Sequence, residues 1–140
     1  MTARFDPARR RRLIRYGAAA VSAATALLDL GIGVGLVKVG EAVGRDAPDL
    51  FLFGASAGGT FVLGAVLLLL VDHRGLWLLG ALLQVLVIAM YVAISSQRTP
   101  PFEAWGITIK VLQAVILLAL AYLVLRQPVR RSAMARKVAR

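Results

Sequence analysis

Four long runs of apolar residues, separated by short polar segments, dominate the pattern along the chain. The runs cover residues 13–39, 50–71, 76–95 and 104–125. Each is close to the ~20 residues that an α-helix needs to cross the hydrocarbon core of a bilayer. Because the three connections are short, consecutive helices are expected to lie antiparallel. The pattern therefore predicts an all-α, up-down-up-down bundle of four transmembrane helices.

The predicted organisation is a single membrane domain between two basic ends. Residues 1–12 form a basic N-terminal segment, residues 13–125 carry the four spans, and residues 126–140 form a basic tail. Small-residue sites suited to signal peptidase lie inside the first apolar run rather than after it. This favours a retained first helix over a cleaved signal peptide.

The distribution of positive charge predicts the orientation of the bundle. Most of the 17 Lys and Arg residues fall on one side, in the two ends and the turn between the second and third spans. These are Arg4, Arg9, Arg10, Arg11, Arg12, Arg15, Arg74, Arg126, Arg130, Arg131, Arg136, Lys137 and Arg140. Lys38, Arg45 and Arg98 fall on the other side. By the positive-inside rule both termini are predicted to be cytoplasmic.

Composition supports a multi-pass protein of the cell membrane. Of the 140 residues, 59% are hydrophobic and 17% are charged, whereas soluble domains are roughly 45–50% apolar and about 25% charged. Arginine is preferred over lysine, and alanine, leucine, valine and glycine are abundant, which suggests a GC-rich bacterial genome and hence a bacterial inner membrane.

The net charge of +10 raises the question of a partner. In a soluble protein it would suggest nucleic acid, but here the charge flanks apolar spans, so anionic lipid explains it better and no nucleic acid is predicted. The predicted headgroup contacts are Arg9, Arg10, Arg11, Arg12, Arg130 and Arg131. Without cysteine and with one histidine, the chain offers no thiolate metal site, and no metal or cofactor is predicted.

A few polar residues interrupt the apolar runs and form the candidate intramembrane site. Asp29 is the most informative, because a carboxylate in hydrocarbon needs a partner, water or a proton. The helical rise places Asp29 ~13 Å and Lys110 ~10 Å below the outer surface, so an ion pair between the first and fourth helices is predicted. Gln113 is expected to donate to Asp29. The candidate set is Asp29, Lys110, Gln113, Thr25 and Glu103.

Glycines at helical spacing predict close helix contacts. The candidates are Gly31, Gly33, Gly35, Gly54 and Gly58, with Gly40 and Gly44 at a further such spacing. Gly33 shares a face with Asp29 and is expected to admit the fourth helix, whereas Gly31 and Gly35 are expected to face another helix or subunit. Packing within the bundle and a dedicated dimer face both remain open.

Three functions are consistent with these patterns. The first is a non-enzymatic, accessory or self-assembling membrane component that forms a homo-oligomer or joins a larger membrane complex. The second is a small proton- or cation-coupled transporter or channel that uses Asp29 and Lys110. The third is a membrane enzyme acting on lipid or quinone. Because no catalytic motif is present, the first is preferred and the protein is predicted not to be an enzyme.

Overall fold

The computed structural model describes residues 6–37, 47–96 and 104–126, with only the backbone described for residues 47–50, 94 and 95. These parts of the chain form four α-helices: α1 (Pro7–Gly33), α2 (Ala47–Leu70), α3 (Arg74–Ser95) and α4 (Ala104–Leu125). All four are long and apolar enough to span a membrane. The predictions of an all-helical fold and of four membrane-length helices are confirmed.

Helix α1 is shifted toward the N-terminus relative to the predicted first span. It begins at Pro7, where the Asp6 side chain accepts a hydrogen bond from the backbone N–H of Ala8 and so caps the helix. It ends at Gly33, because Gly35 adopts a φ of 76° and terminates it. The prediction that this helix continues to Val39 is therefore wrong.

The end of α1 is a Schellman motif. The N–H of Leu36 donates to the carbonyl of Gly31 at 2.8 Å, and the N–H of Gly35 donates to that of Ile32 at 3.0 Å. These bonds satisfy carbonyls that would otherwise lack partners at the helix end. A left-handed φ favours glycine, so Gly35 ends a helix rather than packing against one, contrary to the expectation.

Helix α1 packs against both α2 and α4, whereas α3 packs mainly against α4. Although residues 71–73 alone join α2 to α3, these two helices share no extensive contact in the described parts. Only 6% of the apolar stretch of α3 is buried, against 28–33% in the other helices. The bundle is thus tight around α1 and open along the side between α2 and α3.

The closest helix contact is between α1 and α2. A Cβ atom added to Gly54 would lie 2.5 Å from the Cα of Gly33 and 2.6 Å from the carbonyl oxygen of Asp29. One added to Gly58 would lie 2.6 Å from the side chain of Leu30. Gly33 therefore faces α2 and not the fourth helix, which corrects the expectation for that residue.

The apolar core joins all four helices. Its buried members include Ala18 and Ala19 of α1, Phe61 of α2, Trp77 of α3 and Leu120 of α4. Side-chain contacts also link the beginning of α1 to the end of α2 and the end of α4. We call this region, where α3 also begins, the arginine-rich end.

The buried faces agree in part with the helical periodicity of the sequence. Ser22, Thr25 and Asp29, which lie at helical spacing on α1, are buried, whereas Leu36 at the same spacing is 83% exposed. On α4, helical spacing predicts an inward stripe through Lys110, Gln113, Ala114, Leu117 and Ala121, but the buried residues are Ile109, Gln113, Ile116, Leu120 and Leu123. The difference arises because α4 is contacted on two sides, by α1 and by α3.

Candidate functional site

Three of the predicted polar residues, Asp29, Lys110 and Gln113, lie where α1 approaches α4 and α3, near the ends of the helices opposite the arginine-rich end. Asp29 is 4% exposed and Gln113 is 2% exposed. Lys110 is half-buried, and its Nζ atom lies 4.9 Å from the centroid of the Tyr91 ring. We call Asp29, Lys110, Gln113 and Tyr91 the polar cluster.

The predicted direct ion pair between Asp29 and Lys110 is not formed. Nζ of Lys110 instead donates a 2.7 Å hydrogen bond to Oε1 of Gln113, and it makes no contact within 4 Å to the carboxylate. The physical reason is local: Gln113 lies one turn along the same helix and reaches the ammonium first.

The carboxylate of Asp29 is only partly satisfied. Its Oδ2 atom is buried without a hydrogen-bond partner among the described residues. The expected bond from Gln113 is absent from the described contacts, in which the Gln113 amide oxygen acts as an acceptor. Burying a polar oxygen without a hydrogen-bond partner lowers the free energy of unfolding. This oxygen is therefore an unsatisfied hydrogen-bond acceptor within the site.

Thr25 does not join the polar cluster, although it lies one turn from Asp29 and is fully buried. Its hydroxyl donates to the carbonyl of Val21, one turn back in the same helix, at 2.9 Å. The nearby Ser22 donates instead across the helix interface to the carbonyl of Phe61, also at 2.9 Å. Ser22 therefore links α1 to α2, whereas the hydroxyl of Thr25 forms its hydrogen bond within α1.

The position of Asp29 along its helix also differs from the prediction. Because α1 ends at Gly33, Asp29 lies one turn, or ~6 Å along the axis, from the helix end, whereas the prediction extended this helix to Val39. Lys110 lies ~9 Å from the start of α4 at Ala104. The polar cluster is thus close to one end of the bundle.

Between the polar cluster and the arginine-rich end, the helices are filled by apolar side chains. Phe61, Ala65 and Leu68 of α2 pack there with Ile116 and Leu120 of α4 in one buried cluster. The polar side chains at this level include Thr25 and Ser22, whose hydroxyls donate to backbone carbonyls, and Gln84, whose Oε1 is buried without a partner in the described parts of the chain. The described polar groups do not form a continuous line through the bundle.

Arg15 organises the arginine-rich end. Its guanidinium donates to the carbonyls of Leu68 at 2.9 and 3.0 Å and of Leu69 at 3.1 Å. It also lies 3.5 Å from the Asp72 carboxylate and 5.4 Å from the centroid of the Trp77 ring. A cation at the C-terminus of a helix satisfies carbonyls without helical partners and complements the helix dipole.

Sequence reasoning used Arg15 only as a count of positive charge and missed this role. The missed signal is helical spacing. Ser22 is the first of the polar residues on the buried face of α1, and the same face lies two turns earlier at Arg15 and three turns earlier at Arg11. Arg11 indeed forms an ion pair with Asp72. Asp72 is exposed, as expected for a solvated turn, but it is held by two arginines.

The four arginines predicted to meet lipid headgroups have different surroundings. Arg9 and Arg12 are exposed, with no ion pair among the described residues. The guanidinium of Arg10 lies 5.2 Å from the centroid of the Tyr122 ring on α4. Arg11 is half-buried against Asp72.

Several predicted residues lie outside the described parts of the chain. They are Arg4, Lys38, Gly40, Gly44, Arg45, Arg98, Glu103, Arg130, Arg131, Arg136, Lys137 and Arg140.

Comparison with known protein families, with curated proteins and with solved structures finds no match to this chain. The class therefore follows from the fold alone. Four apolar helices of spanning length are compatible with a small multi-pass membrane protein, and no relative indicates a specific function.

Proposed function

We propose that this protein is a non-enzymatic membrane component that assembles with further copies of itself through the outward face of α1. Both termini lie on the cytoplasmic side in this proposal, and the helices run up-down-up-down. Contacts that join the beginning of α1 to the ends of α2 and α4 support this order. The concentration of arginine at that end supports the orientation.

The observation that carries the proposal is a notch in the outward face of α1. Gly17, Ala20 and Ala24 are exposed and lie on one stripe of the helix. A Cβ atom added to Gly17 would have no neighbour within 4 Å. Larger exposed side chains border the notch, with Leu13 62% and Leu27 71% exposed.

Such a notch suits a second helix. Apolar side chains gain little by leaving lipid for another apolar surface, so helices in a bilayer associate where small residues let their backbones approach closely. Because α2 and α4 already occupy the opposite side of α1, the notch is open to another molecule. A second copy offers the same small surface, which is the usual basis of a two-fold symmetric dimer.

The test is energy transfer between labelled copies in liposomes. The chain has no cysteine, so a single introduced cysteine can carry a donor or an acceptor dye. We expect transfer that falls as lipid dilutes the protein. Ala20→Leu fills the notch and should weaken association by about tenfold or more, because overpacking a close contact costs ~1–3 kcal/mol.

The matched control is Ala89→Leu, the same change at an exposed alanine of α3. It should alter association by less than about twofold, since exposed substitutions away from contacts change little. Equal effects of the two variants, or unchanged transfer in Ala20→Leu, would exclude α1 as the interface.

A second candidate function is proton- or cation-coupled transport through the polar cluster. It is favoured by one observation, the buried Oδ2 atom of Asp29 that has no partner among the described residues. Ionisable groups with incomplete partners inside membrane proteins often mark ion or proton pathways. The apolar core beyond the cluster argues against this candidate, because conduction needs polar groups at several depths.

A further inference from the structure

A pocket of about 290 Å³ lies at the arginine-rich end, between the beginning of α1 and the end of α4. It is lined by Pro7, Arg10, Arg11, Tyr122 and Arg126. Three of the five lining residues are arginines, so the pocket carries a concentrated positive charge. This charge comes from both helices and depends on the way in which α1 and α4 meet.

The arginines are positioned by the fold. Arg10 is stacked against the ring of Tyr122, and Arg11 is anchored by its ion pair with Asp72. The Nε atom of Arg11 is buried and has no hydrogen-bond partner among the described residues. The Asp72 carboxylate that holds Arg11 also lies near Arg15, so it leaves the positive charge of the pocket largely uncompensated.

Guanidinium groups arranged in this way match a phosphate. Arginine binds phosphate oxygens through paired N–H donors, and each such bond is strengthened by charge. The N-terminus of α1 is already capped by the Asp6 carboxylate, so the guanidinium groups supply the charge and the donors of the pocket. A phosphate group is therefore the ligand that satisfies the pocket best.

The surroundings of the pocket select a lipid as the source of that phosphate. Leu118 and Leu125 lie one turn from Tyr122 on the same side of α4. They are 70% and 78% exposed, respectively. A pocket at the end of membrane-length helices is at the depth of headgroups, and exposed Leu118, one turn toward the middle of α4, gives an acyl chain an apolar surface beneath it.

We infer that this pocket binds the phosphodiester of an anionic glycerophospholipid, with Arg10 and Arg126 contacting the phosphate and Leu118 contacting an acyl chain. This site differs from a diffuse attraction between a basic end and the membrane. It predicts a defined stoichiometry of one lipid per chain and a dependence on particular arginines.

The experiment measures binding to the full-length protein in mild detergent at 150 mM salt by calorimetry and native mass spectrometry. The probes are dioctanoyl phosphatidylglycerol, dioctanoyl phosphatidylcholine and inorganic phosphate. We expect one phosphatidylglycerol per chain, bound at least about tenfold more tightly than phosphatidylcholine, whose cationic headgroup is repelled by the arginines. Millimolar inorganic phosphate should not displace it.

The variant Arg10→Gln/Arg126→Gln should bind phosphatidylglycerol roughly 30-fold more weakly, because each basic residue contributes about fivefold. The matched control, Arg9→Gln/Arg12→Gln, removes the same charge from exposed positions of α1. It should lose less than about threefold, since Arg9 and Arg12 do not line the pocket and exposed charges that make no direct contact are screened by salt.

Equal losses in the two double variants would overturn the inference in favour of diffuse charge. Inorganic phosphate binding as tightly as phosphatidylglycerol would also overturn it, because the pocket would then recognise free phosphate. Circular dichroism and gel filtration check folding. If the double variant does not fold, Arg126→Gln alone carries the test at an exposed position, with an expected loss of about fivefold.

Discussion

At the scale of single residues, Arg15 illustrates how one side chain holds together the end of a bundle. It donates to carbonyls of α2, lies near Asp72 and stacks on Trp77 of α3. The carbonyls at the end of α2 have no helical partners and face the interior of the bundle, so a long cationic side chain from α1 is well suited to satisfy them.

Arg15→Met keeps an unbranched apolar stem but removes the guanidinium and its donors. We expect a loss of about 1.5–3 kcal/mol in unfolding free energy, the contribution of hydrogen bonds that involve a charged group. Arg12→Met, at an exposed position nearby, should stay within ~0.5 kcal/mol. Unfolding of both variants in detergent, followed by circular dichroism, measures the difference. A similar loss in the two variants would mean that Arg15 acts only through general charge.

At the scale of helices, the pairing of α1 with α2 depends on glycines. Gly54 and Gly33 bring the two backbones together where any side chain would collide with main-chain atoms. Main-chain atoms cannot move aside as the end of a flexible side chain can. The contact therefore fixes the position of α2 along α1 and, with it, the level at which Asp29 lies.

Gly54→Ala should destabilise the protein by about 1–3 kcal/mol, because the added methyl group overpacks a rigid contact. Gly59→Ala is the matched control, since a Cβ atom at Gly59 meets nothing within 4 Å. It should be neutral or stabilising by up to ~1 kcal/mol, the difference in helix propensity between the two residues. Thermal unfolding in detergent compares them. Opposite signs are expected, and destabilisation of both variants by the same amount would refute close packing at Gly54.

At the scale of the whole molecule, polar and apolar regions are separated along the bundle. The polar cluster occupies one end, the arginine-rich end occupies the other, and the apolar core fills the space between them. Helix α3 lies apart from α2 and is the least buried element. This arrangement favours a sealed scaffold over a pathway, because an apolar barrier resists the entry of ions and protons.

Proteoliposomes test this separation. With a pH gradient and a potassium diffusion potential, we expect proton leak no greater than in protein-free liposomes, for the wild type and for Asp29→Asn alike. Asp6→Asn, at the exposed cap of α1, serves as the control for loss of a carboxylate. A leak present in the wild type and in Asp6→Asn but abolished in Asp29→Asn would contradict the sealed scaffold. It would support the transport candidate instead.

The sequence could predict the elements far better than their contacts. The bounds of α4 were predicted to the residue and those of α3 nearly so, because Pro100 and Pro101 and a short polar turn delimit the apolar runs. The first span was misplaced because hydropathy does not report backbone conformation. Gly35 belongs to an apolar run in the sequence, but its left-handed backbone conformation ends the helix. The Asp29–Lys110 ion pair is not formed for a different reason, because Gln113, one turn along the same helix, accepts the hydrogen bond of the Lys110 ammonium.

By itself, the sequence determined that the chain forms four apolar helices of spanning length, because apolar runs of ~20 residues suit helices that cross a bilayer. Helical periodicity also indicated that Ser22, Thr25 and Asp29 share the inward face of α1. Only the tertiary structure decided which groups these side chains and helix faces contact. It placed Gly33 against α2, Lys110 beside Gln113 and Arg15 on the carbonyls that end α2. Periodicity gives the direction in which a side chain leaves its own helix axis. The residue that it contacts depends on which helices are neighbours and on how those helices are shifted along one another.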